Sequence, residues 1–235
     1  MNKYCLAAAL VAATGAVQAQ DLGFSGGEIS AEAIAYSDGD DIGATAYGAA
    51  VEFGITRQIS VAVDLGFYGL QDIDLQAETA TLHGIYQMSD TVSVGAFYGL
   101  DRTDGDDASL YGIEGGTEFA GVAVEGFVGI VDGDGDDATL LGVSGEYGFT
   151  DSITALGSFN NVSLVDGSIT RLALGGQYEI ANGPELWVEV GTLNAEFGAV
   201  SDAETFVSLG ARIEFGADRG TTFGHRSLFE SSLGF

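Results

Sequence analysis

Apolar and polar residues alternate with a period of two along most of the chain. In TFVSLGARIEF (205–215), Thr205, Val207, Leu209, Ala211, Ile213 and Phe215 form a mostly apolar set. Phe206, Ser208, Gly210, Arg212 and Glu214 form a mostly small or polar set. This period predicts a strand with one greasy and one wet face, and a steeply tilted strand of this length just crosses a bilayer's hydrocarbon. Ile59, Val61, Val63, Leu65 and Phe67 oppose Ser60, Ala62, Asp64, Gly66 and Tyr68 in the same way. Val92, Val94, Ala96 and Tyr98 oppose Ser93, Gly95 and Phe97, and Val122, Val124, Val128 and Ile130 oppose Ala123 and Glu125. Leu172, Leu174, Tyr178 and Ile180 oppose Arg171, Ala173, Gln177 and Glu179, and Leu186, Val188 and Val190 oppose Trp187, Glu189 and Gly191. The first strand, 22–36, is less regular, because Ile34 and Tyr36 share parity with Glu28 and Glu32.

Acidic or polar breaks recur at 38–41, 71–74, 101–107, 132–137, 160–166 and 199–203. Tight breaks lie between them at 56–58, 89–90, 120–121, 150–152 and 181–184. Six hairpins, hence about 12 strands, follow from this alternation, with long loops at one end and short turns at the other. DGDDASLYGIEGGTEF (104–119) aligns without a gap to DGDDATLLGVSGEYGF (134–149), as a duplicated hairpin would. The predicted fold is an all-β, transmembrane antiparallel β-barrel with short periplasmic turns and longer acidic external loops.

Cost decides which face meets lipid. A charge on the lipid face near the midplane costs roughly 2–4 kcal/mol for Arg or Lys, so the charged parity must point inward. Phe53, Tyr86, Phe119, Phe149, Tyr178 and Phe215 sit on the apolar parity near the short breaks or the barrel end, as an interfacial girdle would. Phe67, Tyr98 and Phe159 are candidates for the opposite girdle.

Composition adds a compartment and a charge. Lys3, an apolar run over 6–13 and Val17-Gln18-Ala19 read as a secretory leader at 1–19. Residues 20–215 form the predicted barrel and 216–235 a C-terminal tail. Cys5 lies in the leader, so the mature chain has no disulfide, and a large core or closed barrel must hold it together. With Lys3 removed, six Arg face 35 acidic residues. That balance argues against nucleic acid as a partner and favours cations.

By parity the lumen receives Glu52, Asp64, Glu114, Glu118, Glu125, Glu146, Glu179, Glu189 and Glu214, answered by Arg171 and Arg212. Carboxylates crowded in a confined aqueous space concentrate cations and exclude anions. Two readings stay open: a cation-preferring pore, or a lumen plugged by hydrogen-bonded polar residues. The small inward residues Gly66, Gly95, Gly112, Gly142, Gly175 and Gly210 favour open space. Asp104, Asp106, Asp107, Asp132, Asp134 and Asp136 are candidate ligands for weak, shared Ca²⁺ or Mg²⁺ binding. Counted from Asp132, however, position six is Asp137 rather than Gly and position twelve is Val143 rather than Glu, unlike a helix-loop-helix calcium site. No Gly-x-Ser-x-Gly or metal-spaced His pair accompanies His83 and His225, so no enzyme is expected.

The leader, repeated amphipathic hairpins, Gly-rich strands, and an apolar alternation ending on the aromatic Phe215 resemble Gram-negative outer-membrane porins. A terminal Phe is also similar to their assembly signal, and both Phe215 and Phe235 stand as candidates for it. The resemblance implies the outer membrane, contact with its lipid, passive diffusion of small hydrophilic solutes, no cofactor and often a homotrimer. The opposed Arg and acid clusters of a general porin constriction are poorly represented. The alternative class is a structural or adhesive barrel with an occluded lumen.

Overall fold

The computed structural model describes residues 23–37, 43–70, 75–103, 105–133, 137–181, 183–216 and 221–233. The expected leader and Phe235 lie outside them. Twelve strands follow in order: β1 (Gly23–Tyr36), β2 (Ala44–Gly54), β3 (Ile59–Leu70), β4 (Leu75–Ser89), β5 (Val92–Thr103) and β6 (Asp107–Phe119). Then come β7 (Val122–Gly133), β8 (Ala138–Thr150), β9 (Ile153–Leu164), β10 (Gly167–Glu179), β11 (Glu185–Phe197), β12 (Val200–Gly216) and one short helix, α1 (Leu228–Leu233).

Each strand pairs antiparallel with its chain neighbours, and β1 pairs with β12 from Gly26↔Gly216 to Tyr36↔Phe206. Closure leaves no open sheet edge, the condition for strands to cross hydrocarbon. The apolar parity faces outward on every strand. Val124, Val188 and Leu209 are 41%, 51% and 64% exposed, which in this architecture is a lipid-facing surface. Phe53, Tyr86, Phe119, Phe149 and Tyr178 stand exposed beside the short turns, with Phe67, Tyr98 and Phe159 exposed further along their strands. At the seam, Phe215 stacks on Phe24 with ring centroids 5.9 Å apart.

Two expected long breaks are mostly strand. Around 160–166 the chain stays paired to Leu164 and turns over 165–166, and around 199–203 it turns over 198–199. The polar residues there satisfy one another: Asn161 Nδ2 donates to Thr170 Oγ1 at 2.8 Å and Ser163 Oγ to Asn161 Oδ1 at 2.7 Å. Gly198, at φ +60°, supplies the left-handed residue of the tight turn.

The inward face is not uniformly polar. Towards the end with the longer loops, Leu110, Val131, Ala138, Leu140 and Val162 pack with Phe97 into one apolar cluster, and Ile34, Ala44, Ala173 and Phe206 into another. This explains β1: Ile34 shares parity with Glu28 and Glu32 because all three point inward, Ile34 into the apolar zone and the acids nearer the short-turn end.

Candidate functional site

The chain leaves β12 at the short-turn end and re-enters the barrel. Residues 221–233 run up the inner wall of β2–β7 and end in α1, which packs against β8, β9 and β10. In the sequence only the start of α1 is signalled, by the helix-start pattern Ser227-x-x-Glu230. Ser227 Oγ accepts from the Glu230 N–H at 2.8 Å, and Asp101 Oδ2 accepts from the Leu228 N–H at 2.6 Å. A side chain at the start of a helix thus relieves its orphaned donors.

Wall and tail meet in an ionic network. Each ring nitrogen of His83 lies 2.7 Å from a carboxylate oxygen, Nε2 from Asp64 and Nδ1 from Glu114. Both nitrogens donate together only as the imidazolium. The other Glu114 oxygen accepts from Arg226 Nε at 3.1 Å, and Arg226 also pairs with Glu125. Its guanidinium lies 4.3 Å above the Phe127 ring. Glu52 accepts from the Thr222 N–H at 2.7 Å and the Thr222 hydroxyl at 3.1 Å. His225 Nε2 lies 2.9 Å from Thr79 Oγ1.

The inward glycines do not mark open space. A Cβ at Gly66, Gly95, Gly112, Gly142, Gly175 or Gly210 would lie within 3.0 Å of His225, Phe223, Phe97, Phe127, Glu189 or Trp187 respectively. Small residues line the wall because large side chains, two of them from the tail, lie against it.

A cavity of about 560 Å³ remains between the tail and the wall from β6 round to β1, reaching the short turn at Asp90 and Thr91. Glu28, Glu32, Glu118, Glu125, Glu146, Glu189, Glu214 and Glu230 line it, with Arg171, Arg212 and Arg226. Arg171 pairs with Glu189 at 2.8 Å and Arg212 with Glu185 at 2.8 Å, with Glu214 3.4 Å from Arg212. Of the residues expected to line a pore, Glu118, Glu125, Glu146, Arg171, Glu189, Arg212 and Glu214 border this cavity. Glu52, Asp64 and Glu114 are buried under the tail instead. Glu179 stands opposite Glu185 at the short-turn end of the β10–β11 ladder, away from the cavity lining.

Sequence reasoning missed Glu28 and Glu32, hidden by the irregular parity of β1, and it missed the whole contribution of the tail. Arg226 is a third luminal guanidinium beside Arg171 and Arg212. Among the loop acids proposed as metal ligands, Asp107 pairs with Arg102 at 2.8 Å, and Asp104, Asp134 and Asp136 lie outside the described residues. Asp106 and Asp132 are exposed, and among the described residues no three acidic or histidine side chains converge on a metal-sized point.

No protein-family model matches the chain, and no curated protein matches it in sequence. Solved structures do match in shape. The KdgM porin in complex with disordered oligogalacturonate aligns with a TM-score of 0.62 at 10% identity, over 80% of this chain and 99% of that one. For the NanC porin the values are 0.61 and 9%, over 80% and 98%. An outer membrane channel from Pseudomonas putida F1 aligns at 0.58 and 11%, over 86% and 98%. In its closed, twelve-stranded antiparallel barrel, the chain has the fold of outer-membrane porins and channels.

Proposed function

We propose that the protein is a passive channel of the Gram-negative outer membrane, preferring small hydrophilic cations, and that the structure is its tail-occupied state. The acid-lined cavity inside a porin-fold barrel is the observation that carries this reading. Its carboxylates outnumber the guanidinium groups beside them, so the aqueous space is electronegative and attracts cations. The tail and the apolar clusters towards the longer loops favour a second reading, a structural barrel with an occluded lumen.

Planar-bilayer recording separates the two. Under a KCl gradient the protein should conduct with a reversal potential towards the potassium value. E118Q with E146Q should weaken that preference, because both side chains face the cavity exposed. D106N with D137N at the loops should act less, since exposed charges are screened within about 10 Å at 0.1 M salt. R226Q, which removes both ion pairs of Arg226 with the wall, should raise the conducting fraction several-fold. Silence from both the natural chain and R226Q would establish the occluded barrel.

A further inference from the structure

The wall reads the tail largely through its main chain. Backbone N–H groups of Thr222, Gly224 and Leu228 donate to Glu52, Glu125 and Asp101 at 2.7, 3.3 and 2.6 Å. Thr81 Oγ1 donates to the Arg226 carbonyl at 2.6 Å. Three side chains, three residues apart, supply the anchors. Phe223 packs with Ala62 and Ile85, Arg226 lies between Glu114 and Glu125, and Phe229 stacks on Tyr68 with centroids 5.7 Å apart.

The fit is incomplete in a definite direction. Asp64 and Asp101, 0% and 3% exposed, each keep one carboxylate oxygen with no hydrogen-bond partner among the described residues. His225 Nδ1 stops 3.9 Å from Asp64 Oδ2, the oxygen His83 already meets, too far for a hydrogen bond. The tail also brings an acid of its own, Glu230, into a lumen that already holds Glu32 and Glu189. The occupant brings no hydrogen bond to Asp64 and carries a carboxyl into a lumen that is already acidic.

We propose that the β2–β7 inner wall is a recognition site for extended basic peptides of the pattern aromatic-x-x-Arg-x-x-aromatic. The chain's own tail then occupies the site as an intramolecular competitor. A peptide with a second basic residue immediately before the arginine, in the place of His225, brings a cation towards the Asp64 carboxylate, and one with no acid after the second aromatic adds no further carboxyl to the lumen. The tether gives the tail an effective concentration in the millimolar range, so only a better-matched peptide displaces it at lower concentration. The proposal goes beyond the channel reading, because binding requires no conduction.

The test uses the full chain, whose mature part has no cysteine, with S232C in buried α1 as a reporter of tail docking. A synthetic copy of residues 221–233 carrying H225R and E230Q should raise the S232C labelling rate at least tenfold. Its midpoint should lie at least tenfold below that of the unmodified copy, and adding R226Q to the peptide should abolish the effect. Should S232C fail to assemble, anisotropy of the fluorescent peptide with the natural chain gives the same comparison. An acidic scramble as potent as the matched peptide would overturn the proposal. So would absence of binding to both the natural chain and the R226Q chain, whose own tail is weakened.

Discussion

At the scale of single residues, the lumen is governed by the cost of buried charge. Among the described residues, His83, 0% exposed, is the only partner of Asp64 at hydrogen-bond distance and one of two for Glu114. H83L leaves both carboxylates under the tail without it, and breaking one side of a buried pair costs about 3–5 kcal/mol. The urea midpoint of the reconstituted protein should fall accordingly. The tail carries two groups with opposite pH responses. Burial pushes the Glu230 carboxyl well above its usual range; Glu32 adds to this, Arg171 and Arg226 oppose it, and Glu189 raises it further. Burial lowers His225, against Asp64 and with His83 and Arg226. A raised carboxyl stabilises docking below its ordinary value of about 4.5 and loses that contribution as pH rises through the raised one. A depressed imidazole contributes above its ordinary 6.5 and loses it as pH falls. In H225Q, S232C labelling relative to the unfolded chain should therefore increase as pH rises from acid to neutral. In E230Q it should increase as pH falls below the ordinary histidine value.

At the scale of the strand, parity sets the consequence of a substitution, and what lies inside the barrel modifies it. L209R places a guanidinium on the lipid face and should cost roughly 2–4 kcal/mol, seen as loss of the heat-resistant folded band on a gel. A123R points into the cavity and should assemble. Parity alone would rank Ser208 and Ser60 with Ala123 as tolerant sites. Both serines are buried, at 0% and 6% exposure, so Arg there meets a filled lumen and should impair assembly as well. Gel assays of the four variants distinguish parity acting alone from parity combined with luminal packing.

At the scale of the whole molecule, barrel and tail are held by different forces. The barrel rests on continuous ladders closed at β1–β12, where Ala211 pairs with Ala31 on one side and Leu186 on the other. A211P removes a ladder donor from a strand paired on both sides and should prevent assembly. The tail rests on ion pairs, a few main-chain contacts and a helix of 6 residues, too short to be stable by itself. R226Q should therefore keep the folded band that A211P loses, while changing tail accessibility.

The sequence by itself determined the barrel. Period-two alternation, short turns and the aromatic positions specify strand number, facing and closure, because lipid on one side forces the pattern into the chain itself. Only the tertiary structure decided what fills the barrel. An inward glycine reads the same whether water or Phe223 lies above it. An inward Leu110 or Ile34 breaks the alternation without revealing the apolar cluster it joins. The tail lacks the period-two alternation, and its spacing of Phe223, Arg226 and Phe229 does not reveal partners about a hundred or more residues away: Asp101 for Leu228, Glu114 for Arg226, Glu52 for Thr222. Strand facing is a local property repeated at every second residue, whereas the contents of the lumen depend on which distant segments closure brings together.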